Sequence, residues 1–97
     1  MKISGKQVTA ARDLLGITQE ELATACGVST HTVFRFEAGK AAPYRVSLDK
    51  IVSELERRGI EFTNGDGAGV RISFAKAEAF AKASQAGNGE AGRRENG

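Results

Sequence analysis

Over the first 58 positions apolar residues recur at three- and four-residue intervals, and from residue 60 they recur at every second position. That change of period divides the chain into a helical part and an extended part. Val8, Ala11, Leu14 and Leu15 make one stripe, which predicts a first helix that Ser4 or Gly5 can cap and Gly16 ends. Thr18 and Glu21 stand at capping-box spacing, so a second helix starts near Gln19. Its apolar face carries Leu22 and Ala23, and Ala23 is small enough to let another helix cross close by. Gly27 suits the left-handed position after the helix end, and the chain turns there. Ser29 can then cap a third helix from about Thr30 to Ala38, stopped by Gly39. On it Val33, Phe36 and Glu37 fall on one side, His31, Phe34, Arg35 and Ala38 on the other, and Thr30 at the leading edge.

Beyond Gly39, residues Lys40 to Val46 read as a loop, because Pro43 disfavours helix at the residue before it. Ser47 is the expected cap of a fourth helix, Leu48 to Arg58, with Leu48, Ile51, Val52 and Leu55 at helical spacing and Gly59 as terminator. These four helices are expected to share one core. Next, Ile60 and Phe62 alternate with Glu61 and Thr63, and Val70, Ile72 and Phe74 alternate with Arg71 and Ser73, predicting two short strands. The joining run from Asn64 to Gly69 is rich in glycine but lacks the Lys-Ser/Thr of a phosphate-binding P-loop and opens no capped helix, so it reads as a hairpin turn. A lone two-stranded hairpin is marginal in water, so its apolar face must pack on the helices or pair across a dimer; pairing across a dimer is the expectation. Ala75 to Ala86 has helix-forming composition, for a helix on the surface or on a partner. From Gly87 onward nothing can anchor a core, and disorder is predicted.

Two short helices joined by a tight turn, from Gln19 to Phe36, have the spacing of a DNA-reading helix-turn-helix. Arg12, the run Leu15-Gly16-Ile17-Thr18-Gln19-Glu20-Glu21-Leu22-Ala23, Gly27-Val28-Ser29, and Phe36-Glu37-Ala38-Gly39-Lys40 with Pro43 beyond stand in order. In these residues the chain resembles the lambda-repressor-like, XRE-type helix-turn-helix family, over roughly Ser4 to Gly59. The resemblance implies a four-helix DNA-binding domain over residues 1–59; with the strands and helix read above, the expected fold is mainly α, with a β-hairpin or strand over 60–74 that could dimerise and a short helix with a flexible tail over 75–97. It also implies dimers that bind operator DNA with the second motif helix in the major groove. By position, Thr30, His31, Phe34 and Arg35 would face base edges, while Gln19, Ser29, Lys40, Tyr44 and Arg45 would meet phosphates. Arg12 and Glu37 match a family ion pair that ties the first helix to the recognition helix. The family often has Asn where this chain has Ala38, which removes one side-chain contact to backbone. Small XRE-like regulators with a similar Gly59-Ile60-Glu61-Phe62 then Gly69-Val70-Arg71 extension look like this chain.

Ninety-seven residues, 40% hydrophobic, imply one small domain without room for a large catalytic cleft, and 12 glycines place part of the chain in loops or tail. The formal charge of +2 is mild for a nucleic-acid binder, yet it is unevenly placed. Residues 1–59 carry nine basic and seven acidic side chains, and residues 60–97 carry five of each, so all the excess lies in the helix-turn-helix part. A lone Cys26 excludes an intrachain disulfide and a cysteine zinc cluster, and fits a reducing compartment. Neither a secretory signal nor a bilayer-spanning run is legible. The expectation is therefore a soluble, cytoplasmic protein.

Arg35 is the foremost candidate base reader, because a guanidinium can grip guanine O6 and N7 together; its bland alternative is a solvated surface arginine. His31, the sole histidine, would need every other member of a metal site or catalytic pair from elsewhere, so no metal and no cofactor are expected. Phe34 has two open readings, contact with a thymine methyl or cover by another part of the protein. Cys26 reads as small buried packing rather than a reactive thiol. No nucleophile, base and orienter can be assembled, so the chain reads as no enzyme. The leading expectation is a sequence-specific dimeric repressor on a palindromic operator, using the helix near residues 30–38. The alternative is an antitoxin-type interaction module that binds a partner protein and autoregulates its operon.

Overall fold

The computed structural model describes residues 3–84. Four helices, α1 (Gly5–Leu15), α2 (Gln19–Cys26), α3 (Thr30–Glu37) and α4 (Arg45–Arg57), are followed by strands β1 (Ile60–Thr63) and β2 (Gly69–Ile72). A fifth helix, α5, runs over 74–84. The tail expected from Gly87 lies outside the described residues. The fold is mainly α, and none of these helices is long and apolar enough to cross a membrane.

Local chemistry sets the helix ends. Ser4 Oγ accepts from the Gln7 N–H at 3.2 Å while Gln7 Oε1 accepts from the Ser4 N–H at 2.9 Å, a complete capping box. Thr18 and Glu21 repeat the device on α2, at 3.0 and 2.8 Å. At Gly27 the backbone enters the left-handed region, φ 74°, where a side chain would be strained, and its N–H closes on the Ala23 carbonyl. This geometry swings α3 across α2.

Leu22, Ile51, Leu55, Ile60, Val8 and Val33 are the largest fully buried side chains, and Ala11, Ala23, Phe36 and Ile3 complete the core. Each of the four helices contributes its stripe, and Ile60 adds the start of the hairpin. Leu14 departs from the expected stripe and is 48% exposed. At about 100° per residue it lies a further 60° or so round the helix from Ala11, past the edge of the core.

The fourth helix begins earlier than expected. Tyr44 is its N-cap and makes no side-chain capping bond, and Ser47 lies inside the first turn. The proline constraint falls on Ala42, the residue before the ring, and leaves the residues after Pro43 free to enter the helix. The loop is correspondingly shorter.

β1 and β2 form one antiparallel pair with Ile60 opposite Ile72, Glu61 opposite Arg71, Phe62 opposite Val70 and Thr63 opposite Gly69. The apolar side of the hairpin packs on the helices, with Phe62, Val70 and Ile72 half-buried against the core. Gln7, 4% exposed, ties the hairpin tip to α1: its Nε2 reaches Thr63 O at 3.3 Å, Asn64 Oδ1 at 3.1 Å and Gly69 O at 3.1 Å. Phe74 does not continue the strand. The Ala77 N–H closes on the Ser73 carbonyl at 2.9 Å and the Lys76 N–H on Ser73 Oγ at 3.3 Å, so Ser73 opens α5 and Phe74 turns outward, 81% exposed. α5 returns to the C-terminal end of α4, where Arg57 and Arg58 each lie 4.9 Å from the centre of the Phe80 ring. Glu54 holds both guanidiniums, at 2.9 and 2.7 Å, and Lys76 reaches Glu61 at 3.0 Å.

Candidate nucleic-acid interface

α3 is two-faced. Val33 and Phe36 are buried in the core, whereas His31, Phe34, Arg35 and Ala38 are exposed on the opposite side, with Thr30 exposed at the first turn. Phe34 is 48% exposed, so about half of its surface is open to solvent on this face. Ser29 Oγ accepts from the Thr32 N–H at 3.1 Å and shares a 2.8 Å hydrogen bond with Thr32 Oγ1, which fixes the N-terminus of α3. Its hydroxyl is engaged as a cap in this geometry, so a phosphate would meet chiefly the amides of that turn.

The loop after α3 and the start of α4 stand beside this face. An open cleft of about 350 Å³ is bounded by His31, Thr32 and Arg35 on one wall and by Ala41, Pro43 and Tyr44 on the other. Tyr44 is 88% exposed, and Lys40 and Arg45 are exposed with it. Arg35 and the His31 ring thus line a cleft whose other walls are the hydroxyls of Thr32, Tyr44 and Ser47 and the small apolar Ala41, Ala42 and Pro43, with Lys40 and Arg45 exposed on the chain that flanks it. The structure brings together Thr30, His31, Phe34 and Arg35 on one helix and Tyr44 at the cleft's rim. Thr32 was not among the candidates: on a helical wheel it sits between the two faces, and only the folding back of residues 41–44 turns it toward the cleft.

Beneath the exposed face, the orientation of α3 is set by Glu37. Arg12 Nε donates to Glu37 Oε2 and Arg12 Nη2 to Oε1, both at 2.8 Å, and Arg12 Nη1 donates to the Ile17 carbonyl at 3.0 Å. Thr9 Oγ1 and Gln19 Nε2 also donate to Glu37 Oε1, at 2.9 and 3.1 Å. Burial alone would push the Glu37 carboxyl up, but the donors from Arg12, Gln19 and Thr9 outweigh it and hold the group below the usual carboxylate range. One carboxylate therefore joins α1, α2 and α3. Gln19, expected at a phosphate, has one amide hydrogen committed here, leaving its carbonyl and its second N–H. Thr9 could have been found from the sequence, since it lies one turn before Arg12 on the same side of α1.

Cys26 is half-buried at the end of α2, and burial, followed by the nearby Glu54 charge, pushes its thiol up to about 11. Among the described residues no three His, Cys, Asp or Glu side chains are grouped to hold a metal ion.

A family model for the helix-turn-helix matches residues 8–58, from the middle of α1 to the end of α4. A protein of Methanothermobacter thermautotrophicus, described as an uncharacterized HTH-type transcriptional regulator, is 40% identical over 50 residues, which make up 52% of this chain and 72% of that relative. With its two capped motif helices, the glycine turn between them and more than half its length inside the match, this chain belongs to the XRE-type helix-turn-helix family.

Proposed function

We propose that this chain is a DNA-binding transcriptional regulator, a dimeric repressor that occludes a promoter by placing α3 in the major groove of each half of a palindromic site. The observation that carries the reading is the division of α3: Val33 and Phe36 are buried and Glu37 is locked by Arg12, while His31, Phe34 and Arg35 stand free of the protein. A helix held this firmly on one side and carrying a guanidinium on the other fits a groove about 12 Å wide. Arg35 would grip a guanine and Phe34 would lie on a thymine methyl. Lys40, Tyr44, Arg45 and the N-terminal turns of α2 and α3 would hold phosphates on either side, fixing register without reading sequence. The relative from Methanothermobacter, by its printed description a transcriptional regulator, supports the same use.

A random-oligonucleotide selection with the purified protein tests this, followed by titration of the enriched duplex against scrambled DNA for the wild type and Arg35→Ala. Enrichment of a palindrome, and relaxed preference at one position per half-site in the variant, is the expected result. Equal, salt-dependent binding to every duplex would sink the operator reading and leave only a generic charge interaction.

A further inference from the structure

The hairpin has an edge that is built to be paired. The Ser73 N–H donates to the Gly59 carbonyl at 2.7 Å, so in the observed register Gly59/Ser73, Glu61/Arg71 and Thr63/Gly69 are the hydrogen-bonded pairs. Phe62/Val70 and Ile60/Ile72 are the non-hydrogen-bonded ones, and the N–H and C=O groups of Val70 and Ile72 consequently point away from β1. Among the described residues the sheet has two strands, and no third strand meets these groups. α5 does not cover them. It packs at the opposite side, with Ala77 against Gly59, Phe80 against Arg57 and Arg58, and Lys76 on Glu61. Between β2 and α1 lies an open groove of about 270 Å³, with Ala68, Gly69 and Val70 on one wall and Lys6 and Ala10 on the other. The edge carries no proline, no bulge and no charge turned inward; what blunts it is only its length of four residues and the exposed Arg71 on the solvent face.

We infer that this edge is the dimer surface, occupied by β2 of a second copy in antiparallel register about Val70. This rests on the dimer of the proposed function and names its interface. A two-fold axis perpendicular to the sheet keeps the apolar side of both hairpins facing inward only if paired residues share a face, which puts the centre on one of the four residues of β2. Centring on Gly69 would set Ile72 opposite Asp66 in the turn and leave its outward groups without a strand partner. Centring on Arg71 would stack two like charges in a close pair, which disfavours it. Centring on Ile72 runs at once into α5, which begins at residue 74. Centring on Val70 sets Arg71 opposite Gly69 of the other copy, where there is no side chain to clash. It also lays Ile72 of one copy beside Ala68 of the other on the apolar side, and the two chains exchange N–H···O bonds at Val70 and again between Ile72 and Ala68. The segment from Ala68 to Ile72 is thus complementary to itself, and the two-fold is the symmetry that a palindromic site demands.

The test is sedimentation of the full chain, free and on operator duplex, for wild type, Val70→Pro, and Val70→Cys in a Cys26→Ser background. Proline removes the outward N–H of Val70 and no bond to β1, so the dimer should be lost while the helical circular-dichroism spectrum holds, with the melt lowered by the lost packing of Val70 and of the partner. Val70→Cys should be joined into a covalent dimer by a short bismaleimide, and Asp66→Cys in the same background, at the hairpin tip, should not. On DNA, Val70→Pro should keep wild-type affinity for a single half-site and lose the advantage of the full palindrome, about 10²–10⁴-fold. A dimer that survives Val70→Pro, or one that forms no cross-link at position 70, overturns the surface. A wild type that is monomeric both free and on the full site also overturns it and leaves the edge to a strand of some other protein. Loss of half-site recognition by the wild type itself would instead count against the operator reading, while the sedimentation and cross-linking arms would still judge the interface.

Discussion

Glu37 on α3 and Arg12 on α1 meet through two parallel hydrogen bonds, both 2.8 Å long, with side chains only 5% and 15% exposed. A fork-to-fork pair of this kind fixes an angle as well as a distance. Replacing Glu37→Gln keeps the shape but removes the charge and turns one of the two acceptor oxygens into a donor, so Arg12 is left with neutral acceptors only, one amide oxygen and the Ile17 carbonyl. The expected cost is about 3 kcal/mol, the low end for breaking a buried pair, since Arg12 retains some water. For a domain of this size that lowers the melting temperature by more than about 10 °C. A Glu37→Gln protein that melts within a degree or two of wild type would show that the pair contributes little.

The same carboxylate gives stability an acid limb. Glu37 and Glu54 are both pushed up by burial and brought down further by their arginine partners, so each ionises at lower pH folded than unfolded. A depressed folded-state pKa means the stabilisation is fully present above the unfolded carboxylate value, about 4.3, and drains away as pH falls through the folded value. Thermal melts between pH 7 and pH 3 should be flat to about pH 5 and then fall, and the fall should be shallower in Glu37→Gln. A melt that is unchanged down to pH 3 would contradict the assignment.

Gly5 offers a test of how closely α1 crosses α3. A Cβ built there would collide with the Phe36 carbonyl oxygen and approach the Glu37 Cα. Alanine normally favours a helix over glycine by at most about 1 kcal/mol. Here the obstacle is backbone, which cannot swing aside, and overpacking of about 1–3 kcal/mol should prevail. Gly5→Ala is therefore expected to destabilise, and because α3 carries the exposed readers, it should also weaken binding to a selected duplex. A stabilised Gly5→Ala would mean that the two helices separate more easily than the crossing implies.

Much of this architecture was legible in advance because its signals are local. Caps at Ser4, Thr18 and Ser29, the turn glycine Gly27 and the divided faces of α3 depend on residues within four positions of one another. What was not legible depends on residues far apart. Leu14 is 48% exposed because, among the described residues, the core ends at the Ala11 side of its helix, and the amide of Gln7 is buried because Thr63, Asn64 and Gly69 come to it from more than 55 positions away. Phe74 follows the strand alternation, yet the cap supplied by Ser73 prevails and starts a helix. At the site, the exposed side of α3 follows from its wheel. The cleft shared by Thr32 and Tyr44, and the commitment of Gln19 to Glu37, arise only when the loop and α2 fold against it.

Cys26 should be an unreactive thiol despite its partial exposure. Burial and the Glu54 carboxylate raise its pKa to about 11, against roughly 8.5 for a free cysteine. At pH 8 the thiolate fraction then falls from about a quarter to about a thousandth, and alkylation should slow by roughly two orders of magnitude relative to the unfolded chain. Comparing the iodoacetamide rate in buffer and in denaturant measures this directly. Equal rates in the two conditions would show that the α2 end opens freely.

Lys40 and Arg35 stand on the same surface but should act differently on DNA. Lys40 lies just past the left-handed Gly39, exposed, with its amide closing on the Arg35 carbonyl at 2.9 Å, so it stands on the loop that follows α3 and not on the helix itself. From there a flexible ammonium suits a phosphate rather than a base edge. Lys40→Ala should weaken every duplex about equally and reduce the slope of log affinity against log salt by about 1. Arg35→Ala should cost about 1–3 kcal/mol on the selected duplex, with far less on scrambled DNA. Titrations of both variants at three salt concentrations separate the roles. If Lys40→Ala relaxes specificity and Arg35→Ala only flattens the salt slope, the roles are exchanged, and the reading residue sits on the loop rather than on α3.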